Sequence, residues 1–351
     1  MHIKIKFLAN YMYFCKKSQR SQASRNIKRL YKQSRFSFLN ANWRKLNFHD
    51  IIISMFLPIT ATPFSHLGYK EILPDKALAP YVRCYWTSWN EEETPTTPSP
   101  ELEKIHSVVI PDLCADIIIV IDGTENPEDG REITSMGFCG VNDKMFNSGH
   151  SQNPYRKLFG IRLYSWQAAV FSDEPLSKTA NGFFALQIHF QTAEKLLRQK
   201  LSPTMTLQDF KTVAEEILLT LLSRPSQKQP VQSHLIIDSI VQMIRTRGRQ
   251  NLSALLKDIH ASERQLERLF ADAFSLSPKK VSSLIRYQSL WQEVCRSKTF
   301  DIQDAVFDYG YYDQAHLLND FKKFHGMNLH EAKELASACR IFTIQDSQSV
   351  L

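Results

Sequence analysis

Two stretches of this 351-residue chain place, on the outward face of a short helix, side chains of the types that can contact base edges. The first is Ser262-Glu263-Arg264-Gln265-Leu266-Glu267-Arg268-Leu269-Phe270. Leu266, Leu269, Phe270 and Ala273 fall on one helical face and are expected to be buried, which leaves Arg264, Glu267, Arg268 and Ala271 outward. Two arginines one turn apart can each offer a planar fork to guanine N7 and O6 in the major groove; Glu267 can accept from a cytosine amino group or pair with an arginine. The second stretch is Asp313-Gln314-Ala315-His316-Leu317-Leu318-Asn319-Asp320-Phe321. Here Leu317, Phe321 and Phe324 form the buried stripe, and Gln314, Ala315, Leu318 and Asn319 face out. Gln and Asn are the side chains that match adenine N6 and N7. A solvated face with salt bridges is the plain reading of either stretch alone. The pairing argues for readout, because Ser262 and Asp313, Leu266 and Leu317, and Phe270 and Phe321 are each 51 positions apart.

Such a pair needs a frame. Ser262 caps its helix with Gln265 at the third helical position, a capping-box pattern, after a short helix from about Ser253 and a turn at His260-Ala261. His234 to Arg247 reads as a scaffold helix through Ile236, Ile240, Met243 and Ile244, with Gly248 as C-cap. Ser277-Pro278 opens a helix that can run to about Lys298, roughly 20 residues or about 30 Å. That length approaches the 34–36 Å repeat of DNA, so one rigid spacer can set two reading helices over successive major grooves. Ser262, Lys279, Lys280, Lys322 and Lys323 are placed to meet phosphates, with ordinary surface lysines as the plainer alternative.

Charge is unevenly distributed. The formal net charge is +7, but residues 1–54 hold 12 Lys and Arg against Asp50 alone, which leaves −4 over residues 55–351. Residues 251–334 carry 11 basic and 12 acidic groups, so modest non-specific affinity for DNA is expected. The basic stretch reads as a disordered arm that attracts phosphate, as a transit peptide, or as an artefact preceding a true start at Met55. Six scattered cysteines without C-x-x-C spacing argue against a zinc module or disulfide framework and for a reducing, cytoplasmic home, which for a DNA-binding chain means a nucleoid-associated one. Ile51 to Ile59 is too short to span a bilayer, so no membrane partner is expected.

Residues 55–223 read as a β-rich sensing or dimerisation domain of barrel or sandwich type. Its short runs are Tyr81 to Trp89, Ser107 to Ile110, Asp116 to Ile121, Met136 to Val141, Gly160 to Tyr164 and Phe183 to Phe190, with breaks at Glu92 to Pro100, Asp122-Gly123 and Asn126 to Gly130. An amphipathic helix follows over Leu207 to Leu222; its stripe packs on its own domain or serves a homodimer interface. Residues 224–230 read as a linker, 231–336 as an all-α domain with two helix-turn-helix units joined by a long helix, and 337–351 as a tail. The fold class is therefore α+β.

Catalysis finds little support. Asp112 and Asp116 form a carboxylate pair only if they are not simply turn and strand-start residues. His106, His150 and His189 lack metal-ligand spacing. Cys84, Cys114 and Cys139 read as a redox sensor if they converge and otherwise as buried thiols. No catalytic residue, metal or cofactor is expected.

From Asn251 to Lys333 the chain resembles the AraC/XylS family of bacterial transcription regulators. The resemblance rests on the S-x-x-x-L-x-R-L-F run at Ser262, the Ser277-Pro278 run, and Gly310-Tyr311-Tyr312-Asp313-Gln314-Ala315-His316-Leu317 through Phe321-Lys322 and Gly326. It implies base contact by Arg264, Glu267 and Arg268 from one helix and by Gln314, Ala315, Leu318 and Asn319 from the other. The chain departs from the family at Asn319, usually arginine, at Leu329, usually proline, and at Leu256 and Val306, usually small; this bears on affinity through the second unit. Leu78 to Arg83 with Tyr85-Trp86, Ile110 to Ile117, and Gly160 to Leu163 resemble the amino-terminal domain of some members. The expected function is sequence-specific transcription regulation on double-stranded DNA. RNA polymerase is a candidate partner and the small-molecule effector is unknown. The rivals are a protein-interaction or anti-activator module that has kept the fold without DNA readout, and a catalytic amino-terminal domain fused to a reader.

Overall fold

The computed structural model describes residues 70–88, 108–124, 130–147, 153, 155–224, 230–297 and 300–338. The arm 1–54 with Met55, the Glu92 to Pro100 break, His106, His150, Cys15, Cys339, most of the 224–230 linker and nearly all of the 337–351 tail lie outside the described residues. What is described is α+β, with an antiparallel sheet region followed by a helical region.

Six strands lie side by side in the order β1 (Lys70–Ile72), β2 (Val82–Thr87), β7 (Lys157–Tyr164), β4 (Cys114–Asp122), β5 (Glu132–Cys139) and β8 (Phe183–Ala185). Two further short strands, β3 (Val108–Val109) and β6 (Phe146–Asn147), pair with each other. The β-branched run Ile117 to Ile121 suits the centre of such a sheet. Pairing register puts Tyr85, Ile161, Ile117 and Phe138 in one row across β2, β7, β4 and β5, all facing the core. The neighbouring row is Cys84, Arg162, Asp116 and Cys139, on the opposite face because side chains alternate along a strand. On that face the Trp86 indole covers Gly160, where any Cβ would overlap the ring.

The sheet is backed by α2 (Gln191–Lys200) and α3 (Leu207–Leu222), while the short α1 (Ser165–Ala168) follows β7 directly. Helix α3 starts with a complete capping box, in which Thr206 and Asp209 each accept from the other's backbone N–H. Its stripe of Phe210, Ile217, Leu218 and Leu221 is no more than 5% exposed and joins the core of the sheet, with Phe210 stacked on Phe159 at 4.6 Å. Burial of this kind stabilises by roughly 1.5–3 kcal/mol per side chain. The stripe expected to serve either its own domain or a second copy is therefore occupied by its own domain.

The helical region comprises α4 (Pro230–Arg245), α5 (Leu252–Ile259), α6 (Glu263–Phe274), α7 (Pro278–Arg296), α8 (Ile302–Tyr309), α9 (Gln314–His325) and α10 (Leu329–Ala338). Its core is built on α7, whose Val281, Leu284, Ile285, Tyr287, Leu290, Trp291 and Val294 are buried against its neighbours. No helix among the described residues is long and apolar enough to cross a membrane.

Candidate nucleic-acid interface

The first unit is α5, a tight turn and α6. Asn251 caps α5 by accepting from the Ala254 N–H at 2.8 Å, and the helix stops at His260 in the left-handed conformation (φ +52°). Ser262 then caps α6, its Oγ accepting from the Gln265 N–H at 3.3 Å. The reciprocal Gln265 bond of a full capping box is not found there; the complete box lies at Thr206 instead. Leu266, Leu269, Phe270 and Phe274 are buried, whereas Ala273 is only half-buried. Arg264, Glu267, Arg268 and Ala271 are exposed, and among the described residues no hydrogen bond or ion pair engages the three charged ones.

The second unit repeats the plan with a turn one residue longer. Asp301 caps α8, accepting from the Gln303 and Asp304 N–H groups, and Gly310 ends the helix at φ +67°. Asp313 caps α9 by accepting from the His316 N–H at 2.7 Å. Leu317, Phe321, Phe324 and His325 are buried. Ala315, Leu318 and Asn319 are exposed, and Gln314 is half-buried. Tyr311 locks the turn: its Oη donates to Asp320 Oδ2 at 3.0 Å, and the Arg286 guanidinium lies 5.4 Å over its ring. Tyr312 beside it is 91% exposed.

Between the units α7 is unbroken for 19 residues, about 28 Å at the ordinary helical rise. Ser277 caps it through the Lys280 N–H, with Pro278 at the first turn. Of the five residues expected to meet phosphates, Ser262, Lys279, Lys322 and Lys323 are exposed. Lys280 is not free, because its Nζ lies 2.9 Å from Asp143 Oδ2. Burial pushes the Asp143 carboxyl up, but hydrogen bonds from Lys280 and Asn181 and the Lys280 charge outweigh it and hold the group below the usual carboxylate range.

Asp143 belongs to a wider set of contacts from the sheet region that the sequence reading did not anticipate. Helix α1 packs on α6, and the Ser275 Oγ that follows α6 donates to Leu176 O and accepts from the Thr179 N–H, both at 3.0 Å. Gln288 in the middle of α7 donates to Pro111 O at 2.7 Å in a buried site. Met145 lies against Gly326, the residue that ends α9. The sheet region therefore touches the C-terminal ends of both exposed helices and the spacer between them.

The other candidate chemistry resolves into structural roles. Asp112 and Asp116 do converge, but around Arg162: Nε and Nη2 meet the two Asp116 oxygens at 2.9 and 3.0 Å, and Nη1 meets Asp112 Oδ2 at 3.2 Å. Trp86 Nε1 donates to Asp116 Oδ1 at 2.8 Å, and the Cys114 N–H donates to Asp112. Burial pushes the Asp112 carboxyl up despite the Arg162 charge beside it. It also pushes the Cys84 and Cys114 thiols well up and Cys139 to about 11, the opposite of an activated thiolate. Among the described residues no three His, Cys, Asp or Glu side chains gather as metal ligands would.

Residues 255–334 match a family described as a helix-turn-helix domain, and residues 70–184 match one described as a domain of unknown function, DUF6597. Among solved structures, ToxT from Vibrio cholerae O395 aligns at 7% identity over 66% of this chain and 94% of its own, with a TM-score of 0.35. A second ToxT crystal form from Vibrio cholerae aligns at 9% identity over 64% and 91%, with a TM-score of 0.33. No curated protein matches the sequence.

Proposed function

Because residues 255–334 match a helix-turn-helix domain, we propose that this chain is a transcription regulator of the AraC type that reads two successive major grooves, α6 in one and α9 in the next. A helix-turn-helix domain over 255–334 follows an amino-terminal domain over 70–184, and the second reading helix extends DNA binding into the next groove. The observation that carries it is geometric. Outward residues at matching positions of α6 and α9 stay exposed, and an unbroken spacer of about 28 Å joins their units, close to one turn of the duplex.

In this reading Arg264, Glu267 and Arg268 face bases in one groove and Gln314, Ala315, Leu318 and Asn319 in the other. Ser262, Lys279, Lys322 and Lys323 set the register on the backbone. The domain plan is a sheet region over 55–223, a linker over 224–230 and the reader over 231–336. With the α3 stripe taken up by its own sheet, the reading needs only one copy of the chain.

Arg268→Ala is expected to cost about 1–3 kcal/mol on a selected site and to relax preference at one base pair, whereas Lys322→Ala weakens all duplexes alike. Unchanged affinity in both variants refutes the readout. The rival interaction module has one observation in its favour: Phe307, Tyr312 and Leu318 of the second unit are exposed apolar side chains at 57%, 91% and 37%. A genome-wide map of bound DNA that comes back empty would favour it.

A further inference from the structure

The two reading helices carry opposite chemistry at equivalent positions. With the 51-residue offset, Arg264 corresponds to Ala315, Glu267 to Leu318, Arg268 to Asn319 and Ala271 to Lys322. All eight side chains are exposed. On α9 the stripe Ala315, Leu318, Asn319 and Lys322 follows i, i+3, i+4 and i+7, so it is one continuous face. It is apolar at the N-terminal end, amide in the middle and cationic at the far end, with Tyr312 ahead of it. Folding does not require an apolar pair there, because Leu317, Phe321 and Phe324 already supply the buried stripe of this helix.

Resting on the double readout above, we propose that α9 recognises thymine through its C5-methyl group by way of Leu318 and Ala315, so that the two halves of the binding site are chemically unlike. The major-groove edge of thymine is the one base edge that presents a methyl group, and apolar side chains read it by contact. Asn319, one residue along, supplies the amide that pairs with the adenine edge of a neighbouring A·T step. Lys322 and Lys323 at the end of the same helix supply the charge complementarity that commits this face to a duplex rather than to an apolar protein surface. Helix α6, with two guanidinium forks and no apolar outward residue before Ala271, reads guanine instead.

The test uses the full chain. A duplex is selected from a random pool, and the half read by α6 is identified as the one where Arg268→Ala relaxes preference. Thymines in each half are then replaced by deoxyuridine, which removes the methyl group and leaves every hydrogen-bonding group in place. Replacement in the α9 half is expected to weaken binding about fourfold per contacted methyl, the factor that burying one such group gives. In the α6 half the change stays under about twofold. Leu318→Ala, at an exposed position that leaves folding intact, removes most of the sensitivity. Equal affinity for the thymine and deoxyuridine duplexes overturns the proposal, as does a sensitivity that Leu318→Ala leaves unchanged. Failure to select any duplex overturns the double readout with it, so the two failures are distinguishable.

Discussion

Lys280 Nζ lies 2.9 Å from Asp143 Oδ2, so a lysine at the start of the spacer helix is held by a carboxylate from the sheet region. The pair is partly exposed, at 32% and 19%, so it contributes little to stability, about 0–1 kcal/mol. Its effect on an anionic partner is larger, because it removes one cation from the surface and adds one anion beside it. Asp143→Asn is expected to tighten binding to random duplex DNA and to steepen the dependence of log affinity on log salt by about one, the slope of one further phosphate contact. A salt titration of both proteins checks this; an unchanged slope means Lys280 does not face the backbone.

His325 makes the reader sensitive to acid. It is fully buried, with Nδ1 2.8 Å from Tyr287 Oη and its ring stacked on Phe321, and burial lowers its pKa to about 3 from 6.5. Between those values the unfolded chain binds a proton that the folded chain refuses. Stability conferred by the neutral ring is thus complete above pH 6.5 and declines as pH falls, by about 2 kcal/mol between pH 7 and pH 5. Urea denaturation at the two pH values measures it, and His325→Phe should flatten the difference.

Arg162 makes a different prediction. Its guanidinium is 5% exposed and answers both Asp116 and Asp112, so Arg162→Met leaves two buried carboxylates without their cation. A loss of about 3–5 kcal/mol is expected. Arg156→Met, which breaks a pair with Asp122 whose arginine is 37% exposed, should cost under about 1 kcal/mol. Comparable losses in the two variants would contradict this account of the sheet.

Gly326 sits at φ +80° with the Met145 side chain where a Cβ would point. Gly326→Ala is expected to cost about 1–2 kcal/mol from the left-handed backbone alone. Met145→Ala in the same chain should recover only the steric part, since it leaves the dihedral unchanged. Full recovery would show that crowding, not conformation, sets the requirement for glycine.

Much of the reader was legible because its determinants are local. Caps act over three residues, so Ser262, Ser277 and Asp313 announced their helices from sequence, as did the stripe that gave Leu207 to Leu222 its bounds. The sheet was less legible. Strands β1 and β6 are three and two residues long and carry no periodic signal. The run Phe183 to Phe190, which reads as one strand, pairs with β5 only over Phe183–Ala185 and then turns through a 3-10 segment, Leu186–Ile188, into α2. Helix α2 itself escaped notice because its mixed polar sequence shows few apolar repeats. The partners of Lys280 and Gln288 were beyond any pattern argument, since Asp143 and Pro111 are distant in sequence and meet them only through the fold. Exposure of Arg264, Glu267, Arg268, Leu318 and Asn319 was foreseeable from the helical period, but Ala273, read as core, is half-buried at the last turn of α6.

Chemical protection of the sugar backbone on a selected duplex, with guanine N7 protection marking the α6 half, tests double readout most directly. The account predicts two protected clusters on the same face of the duplex, about 10–10.5 base pairs apart, with Arg268→Ala erasing protection in one cluster only. A single cluster, or two on opposite faces, would contradict it.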